Sequence, residues 1–410
     1  MKTKDIVKEF HLDDCTRCHN ECAEACPVYR FFGTWHPQNL AGLFLEKGGR
    51  GLGDHLLLWN CVTCRACTVA CPFDVEFADF IRELRVGRTD YHPAHEGLIH
   101  QYQRTQASLP TAHGFKSSKT TPGLKSDKRI KKSHEFLAIA RQDRLGWVDD
   151  ALDINGSREI VLFTGCLPFF EIAFKESCGM SSLHTARAAV EVLNRLGVSP
   201  TLLEDERCCG RDMYDIGDRD TFRRLATHNI EELKRTRAKT VLTVCPECAY
   251  TIAHTYPGSF GELPFVVRHI TEFVAENLDR LNFRMQEERL TFHDPCYLCR
   301  YLGVTEAPRS ILEAISSQPP VEMARSKELA PCCGAGSWIN YGGHTRAAVN
   351  ERIVEAHRSG AEALVTACPK CNILFHEVNP DCSWKQSPII VRDLMSMVAS
   401  CLEGKGRKQP

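Results

Sequence analysis

The stretch LAPCCGAGSW, residues 329–338, places two adjacent cysteines before a glycine. The same trio stands upstream in EDERCCGRDM, residues 204–213. Neighbouring thiols point in diverging directions, so such a pair fits poorly into one compact tetrahedral metal site. The recurrence of so unusual a trio indicates that a larger unit is repeated around it.

The sequence on either side of each trio is repeated as well. Each copy contains an apolar run ending in cysteine, then the CCG trio, then a CPxC motif; these are EIVLFTGC (159–166), CCG (208–210) and CPEC (245–248), and RLTFHDPC (289–296), CCG (332–334) and CPKC (368–371). Matching landmarks lie 123 to 130 residues apart. A repeat at one fixed period indicates a duplicated folding unit. We therefore predict two related domains, at residues 158–285 and 286–405.

Each copy has the pattern of an α/β unit. Apolar runs such as IVLF and TVLTV alternate with amphipathic helical stretches. One helix is predicted from Leu183 onward, with Ser181 or Ser182 as its N-cap and Gly197 beyond its end. Cysteines follow the strand-like runs, and ligands of open α/β sheets bind at the carboxyl ends of strands. We expect five thiols to converge in each copy: Cys166, Cys208, Cys209, Cys245 and Cys248, and Cys296, Cys332, Cys333, Cys368 and Cys371.

Two further cysteine runs lie in residues 1–90. They read C-TR-C-HNE-C-AEA-CP from Cys15 and C-VT-C-RA-C-TVA-CP from Cys61. The second run has the bacterial ferredoxin spacing, in which the fourth cysteine binds the other of two [4Fe–4S] cubes. We assign Cys61, Cys64, Cys67 and Cys26 to one cube, and Cys15, Cys18, Cys22 and Cys71 to the other. The alternative is a pair of zinc ribbons, whose CxxC pairs are separated by about 15–20 residues, unlike either run.

Composition narrows the class of protein. The chain has 410 residues, 22 cysteines and a formal net charge of −1, which gives no reason to expect nucleic acid as a partner. It begins without the apolar segment of a secretory signal, and no apolar run approaches the roughly 20 residues that span a bilayer. We expect a cytoplasmic protein that meets a membrane only through a partner. Its thiols should stay reduced and bind metal.

Residues 91–157 are predicted to be a connector that is partly mobile. Its stretch 105–133 is rich in Ser, Thr, Pro and Lys, a composition typical of exposed, mobile segments. A solvated linker is one interpretation, and docking to an acidic face of a partner is the other.

The order of motifs resembles a known family. The pattern C…CCG…CxxC, present twice after a two-cluster ferredoxin region, is similar to the CCG domains of heterodisulfide reductases, and the whole chain resembles the D subunit of these enzymes or a fusion of their C and B subunits. The resemblance implies a helical two-cluster ferredoxin-like domain followed by two duplicated α/β CCG domains, an α+β and α/β multidomain fold. It also implies that each five-cysteine set holds a noncubane [4Fe–4S] cluster. The chain would then hold four [4Fe–4S] clusters, two cubane and two noncubane, with a disulfide cleaved between the last two.

The resemblance leaves two redox functions open. The chain is either a reductase subunit for a disulfide or heterodisulfide, or a relay subunit of a larger complex such as a class II benzoyl-CoA reductase or a quinone-linked dehydrogenase. No GxGxxG follows a predicted strand, so any flavin is expected on another chain. Expected partners are a heterodisulfide reductase A-like flavoprotein, a hydrogenase or formate dehydrogenase module, or a membrane cytochrome. A zinc-stabilised interaction protein is disfavoured by the cysteine spacing.

Several residues outside the main pattern are also candidates. His293, just before the second CCG domain's first cysteine, is expected either to donate a hydrogen bond to a cluster sulfur or a proton to a product thiolate, or to be satisfied by the backbone. His269 is a weaker candidate of the same kind. Gly210 and Gly334 are expected at positive φ. The thiols without a motif partner are interpreted as buried apolar side chains; they are Cys178, Cys299, Cys382 and Cys401.

Overall fold

The computed structural model describes residues 3–33, 36–48, 55–88, 97–109, 144–338, 343–379 and 389–403. The described part of the N-terminal region is helical. Its helices are α1 (Thr3–Glu9), α2 (Glu21–Ala25), α3 (Pro27–Phe32), α4 (Pro37–Lys47), α5 (His55–Asn60), α6 (Ala66–Val69), α7 (Phe77–Arg85) and α8 (Leu98–Ser108), with a 3-10 turn at Leu12–Thr16. The Gly-rich stretch at 48–53 lies largely outside the described residues.

An aromatic core holds the N-terminal helices together. Phe80 of α7 is fully buried and meets Phe44 of α4 edge-on, with 5.1 Å between ring centroids. Phe10, after α1, lies 6.1 Å from the same ring. Edge-to-face ring pairs add to the free energy of burying their apolar surface. Helices α4 and α7 and the segment after α1 are thereby held together.

The first α/β unit contains a three-stranded parallel sheet in the order β1-β2-β3. Its elements are β1 (Ile160–Phe163), α9 (Leu167–Cys178), α10 (Leu183–Arg195), α11 (Arg211–Asp215), α12 (Arg219–Thr236), β2 (Thr240–Thr243), α13 (Pro246–Tyr250), a π-helix (Thr251–Thr255), α14 (Tyr256–Phe260), β3 (Val266–His269), α15 (Ile270–Ala275) and a 3-10 turn (Leu278–Arg280). Parallel strands need crossover connections, which the helices supply.

The second unit repeats this arrangement with a parallel sheet in the order β4-β5-β6. Its elements are β4 (Leu290–His293), a π-helix (Tyr297–Tyr301), α16 (Glu306–Ile315), 3-10 turns (Lys327–Leu329 and Gly336–Trp338), α17 (Gly343–Arg358), β5 (Ala363–Thr366), α18 (Pro369–Val378), β6 (Ile390–Asp393) and α19 (Leu394–Cys401). Mixed helices and small parallel sheets therefore follow the helical region. No helix within the described ranges is both long and apolar enough to cross a membrane.

The two α/β units share one apolar core. Leu162 and Leu242, on the first sheet, and Phe292 and Val365, on the second, belong to the same buried cluster and are at most 2% exposed. Burial of continuous apolar surface between the sheets stabilises their mutual orientation. The duplicated halves therefore form one packed body.

Helix α10 begins and ends as the sequence predicts, but its N-terminal cap differs. Ser182 holds the N-cap position and its side chain makes no cap hydrogen bond. Instead a carboxylate oxygen of Glu171, on the preceding helix, accepts hydrogen bonds from the Ser181 hydroxyl at 2.7 Å and the Leu183 amide at 3.3 Å. A carboxylate also suits the positive end of the helix dipole better than a neutral hydroxyl. Gly197 follows the helix at φ 74°, as expected.

The predicted connector is structured at both described ends. Helix α8 packs near the first CCG loop, where Gln106 accepts a hydrogen bond from the Cys208 amide at 3.0 Å. At the other end, the buried Arg144 pairs with the buried carboxylate of Glu206. Most of the predicted mobile stretch falls in residues 110–143, which lie outside the described residues.

Candidate metal centres

The first and fourth predicted positions of each set lie at the carboxyl ends of strands. Cys166 and Cys245 follow β1 and β2, and Cys296 and Cys368 follow β4 and β5, each within three residues of the strand end. The carboxyl ends of neighbouring parallel strands meet at one sheet edge. The sequence-based expectation about their placement is therefore confirmed in both copies.

The two CCG loops have the same backbone conformation. Gly210 and Gly334 have φ values of 82° and 84°, a region that other residues rarely adopt. Each glycine amide donates to the thiol two residues earlier, Cys208 in one loop and Cys332 in the other, at 3.3 Å. The glycine thus closes a turn that aims the first thiol of the pair back toward the loop.

The five thiols of the first copy form one connected group, which we call the first set. Within it, the hydrogen-bonding contacts between thiols run in the order Cys166, Cys208, Cys209, Cys248 and Cys245. Burial and these contacts together lower the pKa of some thiols in the set and raise that of others. The contact with Cys248 holds the pKa of Cys245 well below its ordinary value, whereas contact with Cys209 holds that of Cys248 well above.

The second copy forms the second set in the same order. The contacts run through Cys296, Cys332, Cys333, Cys371 and Cys368. The Cys296 and Cys332 sulfurs are 4.0 Å apart, and those of Cys333 and Cys371 are 3.2 Å apart. Five soft thiolates on one buried group of loops suit an iron–sulfur centre larger than a single tetrahedral ion.

The two sets meet at a junction that we call the seam. Cys245 and Cys368, the CPxC cysteines that follow β2 and β5, interact electrostatically across it. Beside them, a carboxylate oxygen of Glu247 lies 2.5 Å from the Lys370 ammonium, and Asp212 lies 2.6 Å from it on another side. All three charged side chains are at most 9% exposed. Duplicated loops therefore bring both thiol sets and one buried charge cluster together.

The N-terminal cysteines also form two groups. Cys26, Cys61, Cys64 and Cys67 line one small cavity together, and we call them the proximal cube set. Cys15 interacts electrostatically with Cys71, Cys22 and Cys18, and these four form the distal cube set. In each group one cysteine comes from the other run, as the crossed ferredoxin arrangement requires. Burial raises the pKa of Cys15 to about 12, a cost that metal binding would remove because a metal-bound thiolate needs no proton.

One contact joins the helical region to the second set. Cys64 of the proximal cube set interacts electrostatically with Cys332, and that interaction lowers the pKa of Cys64 to about 6. The thiols therefore form a continuous row from the proximal cube set, through the second set and across the seam, into the first set. A cavity lined by four thiols and two five-thiol groups fit iron–sulfur clusters by donor chemistry.

His293 lies against the second set, as the sequence suggests. Its ring contacts Cys333, and its nearest nitrogen lies within 4.8 Å of both the Cys333 and Cys371 sulfurs. Arg352 donates from Nε to His293 Nδ1 at 3.2 Å. Since Nδ1 accepts, a neutral ring carries its proton on Nε2, an atom that is buried without a hydrogen-bond partner in the protein alone. Burial lowers the pKa of His293, which favours that neutral ring.

The contacts of the remaining candidate residues are structural ones. His269 caps α15 through a capping box with Glu272. Cys299 is 1% exposed, its sulfur faces the Asp294 and Cys296 carbonyl oxygens, and burial raises its pKa to about 12. Cys178 and Cys401 are buried in apolar clusters, and Cys382 lies outside the described residues.

Sequence reasoning missed polar residues that touch the thiols. Gln103 of α8 donates its amide to the Cys208 sulfur at 3.2 Å and to Asp212 at 2.7 Å. Gln103 lies in the stretch interpreted as a connector, and no sequence feature there indicated a contact with a cysteine. Lys370 and Glu247 had a signal, because opposite charges occupy the same position of CPKC and CPEC. That difference between otherwise matching motifs points to a contact between them.

Comparison with known proteins places the chain in a class. A family model described as "Cysteine-rich domain" (CCG) matches residues 160–253 and 290–376, and one described as "4Fe-4S dicluster domain" matches residues 11–75. The chain is therefore an iron–sulfur protein with a dicluster domain and two CCG domains. The chain is similar to redox proteins over nearly its whole length. It is 29% identical to the D subunit of the dihydromethanophenazine:CoB–CoM heterodisulfide reductase of Methanosarcina barkeri, with 98% of this chain and 97% of that one aligned.

Other relatives belong to different redox systems. The EtfAB:quinone oxidoreductase of Syntrophomonas wolfei is 25% identical over 90% of this chain and 55% of its own length. The B subunit of the CoM/CoB fumarate reductase of Methanothermobacter marburgensis is 26% identical over 91% of this chain and 69% of its own. The chain is therefore similar over nearly its whole length to the D subunit of heterodisulfide reductase, and over most of its length to iron–sulfur proteins of other redox systems.

Proposed function

We propose that this oxidoreductase subunit passes electrons from two ferredoxin-type cubes to two CCG-bound noncubane [4Fe–4S] clusters that reduce, or in reverse form, a disulfide or heterodisulfide. In the reductive direction one disulfide, two electrons and two protons give two thiols. The sulfur–sulfur bond breaks, and each sulfur gains one electron and one proton. The two centres, when loaded, supply one electron apiece.

The continuous row of thiols is the observation that carries this proposal. Cys64 interacts with Cys332, the second thiol in the order of the second set, and Cys368, its last thiol, interacts with Cys245. Both five-thiol sets are complete, and they adjoin each other across the seam. Two adjoining one-electron centres match a two-electron bond cleavage. A simple relay has no need of a pair.

The residues at the seam have a defined part in this proposal. Lys370 holds Asp212 and Glu247 together in a region from which water is excluded, since all three are buried. Fixed charges in such a site act strongly because the local dielectric is low. His293 holds a proton on Nε2 next to Cys333, where a developing thiolate of the product would accept a hydrogen bond.

The second candidate function is electron relay without a disulfide substrate. It is favoured by the relatives, which include an EtfAB:quinone oxidoreductase and a probable membrane-anchored ferredoxin. Under either function we expect a hetero-oligomeric complex with a flavoprotein or another redox component, no flavin on this chain, and a cytoplasmic location with any membrane contact made by a partner.

Anaerobic turnover distinguishes the two functions. The reconstituted chain is mixed with reduced viologen and a panel of disulfides, and dye oxidation is followed together with the EPR signal of an oxidised CCG centre. Disulfide-dependent dye oxidation that disappears in Cys333→Ser but persists in Cys299→Ser supports the reductase. If no disulfide oxidises the dye or perturbs the signal, the relay function stands.

A further inference from the structure

Two arginines flank the loop of the proximal cube set. Arg85, which is 1% exposed, donates from Nη2 to the carbonyl oxygen of Cys61 at 2.6 Å. Arg300 reaches in from the second CCG domain and donates from Nε to the carbonyl oxygen of Cys64, also at 2.6 Å. Its Nη2 atom is buried without a hydrogen-bond partner. Two cations from different domains thus hold the same cysteine loop.

Neither guanidinium pairs with a carboxylate among the residues that the structure describes. Apart from the two cysteine carbonyls, Arg85 donates to the carbonyls of Leu58 and Asp215, and Arg300 to those of Glu328 and Ala330. A buried cation without a counter-charge is strongly destabilising. Since [4Fe–4S] bound by four thiolates carries a net charge of about −2, the loaded proximal set would supply that counter-charge.

A buried carboxylate that interacts electrostatically with Arg85, that of Asp215, is already shared. Asp215 accepts from Arg82 Nε at 2.6 Å and also pairs with Arg211, while Arg82 pairs in addition with Asp79. These two guanidinium groups and two carboxylates balance, so Arg85 and Arg300 leave the region around the proximal set with an excess of positive charge.

The distal cube set has the same spacing between its first two cysteines, but these have a neutral partner. The carbonyl oxygens of Cys15 and Cys18, which correspond to Cys61 and Cys64, both accept from the amide of Gln38, at 2.6 and 3.4 Å. The arginine nearest to this loop, Arg17, is 65% exposed and paired with Asp14. Water and the paired carboxylate screen its charge. Two matching loops thus differ in charge at the same backbone atoms.

We propose that Arg85 and Arg300 are positioning residues whose fixed charges give the proximal cube the higher reduction potential of the two, so that electrons move inward toward Cys332. The inference rests on the proposed function, because it assumes that both cube sets hold clusters. Net charge and hydrogen bonding around a cluster set its reduction potential. Arg300 also interacts electrostatically with both Cys64 and Cys332. Its charge therefore acts at the point where electrons would leave the proximal cube.

The test uses the full chain, reconstituted anaerobically and titrated electrochemically with EPR detection of reduced cubes. Arg85→Gln and Arg300→Gln each give the proximal loop the neutral partner that the distal loop has. We expect each to lower the ratio of reduced to oxidised proximal cube at fixed potential about tenfold, which is about 59 mV for one electron. Arg300→Lys retains the charge and should stay near the unmodified chain. Arg17→Gln is the exposed control, and Cys18→Ala identifies the distal wave.

Each outcome of the titration decides the proposal. Unchanged proximal potentials in both Gln variants at full iron content, or equal shifts of both cubes, would overturn it. Loss of proximal iron in the Gln variants but not in the Lys variant would support the proposal, because it would show that the proximal loop needs the positive charge. Loss of proximal iron in all three variants would overturn it, because it would show that the loop needs the shape of the arginine side chain. Failure of the proposed function gives a different result, since disulfide-dependent dye oxidation is then absent from the unmodified chain while the potentials of its two cubes remain measurable.

Discussion

The thiols of Cys245 and Cys368 contact each other across the seam, although the two cysteines belong to different copies of the repeat. Both stand first in a CPxC motif, directly after the middle strand of a three-stranded sheet. The duplication therefore places equivalent thiols face to face. Under the proposed function, that arrangement would bring two metal centres within reach of one small substrate, and each thiol assignment can be tested separately.

Cys296 and Cys299 provide a matched pair of substitutions. Cys296→Ser removes a thiol of the second set, and we expect iron to fall from about sixteen to about twelve per chain as one cluster is lost. Cys299→Ser should retain all the iron, since its sulfur faces only backbone carbonyl oxygens. Iron and acid-labile sulfide analysis of the two variants checks the prediction. Equal iron loss in both would show that Cys299 is a ligand.

His293 is expected to tune the second CCG centre. His293→Ala should change the EPR signal and lower the potential of that centre alone, because the Nε2 proton, which has no hydrogen-bond partner in the protein alone, is no longer available to a sulfur of the loaded centre. Arg352→Gln should act in the same direction, since Arg352 fixes the proton on the far ring nitrogen. His228→Ala, at a buried histidine bonded to a backbone carbonyl, is the control. If all three variants give the same spectrum of the second centre as the unmodified chain, the assignment of His293 is contradicted.

Lys370 is predicted to stabilise the seam. Lys370→Met leaves Asp212 and Glu247 buried without their cation, which costs about 3–5 kcal/mol for a buried pair. A lower thermal midpoint of the loaded protein measures this effect. Lys239→Met is the matched control, because Lys239 makes an exposed ion pair with Glu159 and its loss should leave the midpoint unchanged. Similar midpoints in the two variants would mean that the seam does not depend on this charge.

Gly336 fixes the junction between the helical region and the second CCG domain. A Cβ atom at this position would collide with the backbone carbonyl of Val62, next to the proximal cube set. Gly336→Ala should therefore destabilise the junction by about 1–3 kcal/mol. Gly42→Ala, where nothing lies within 4 Å of the added atom, should instead stabilise α4 by about 0.5–1 kcal/mol. Thermal midpoints of the two variants should move in opposite directions.

The structural features that could be predicted from the sequence are those that depend on local pattern. The strands before Cys166 and Cys368, and the positive φ of Gly210 and Gly334, follow from short-range periodicity and glycine chemistry. It missed the Glu171 cap because the carboxylate comes from another helix. The local pattern could not reveal the contacts of Gln103 and Arg300 with cysteine loops more than 100 residues away, because they exist only once the domains have packed.

The buried pair of Glu247 and Lys370 also determines which halves can associate. The two residues hold equivalent positions, so pairing a first CCG domain with another first domain would bury two carboxylates against each other, and pairing two second domains would bury two ammonium groups. Like charges in contact away from water are strongly unfavourable. The difference between Glu247 and Lys370 thus makes each surface complementary to the other half and not to its own kind. The chain thereby favours pairing of a first domain with a second domain over pairing of like halves from two copies.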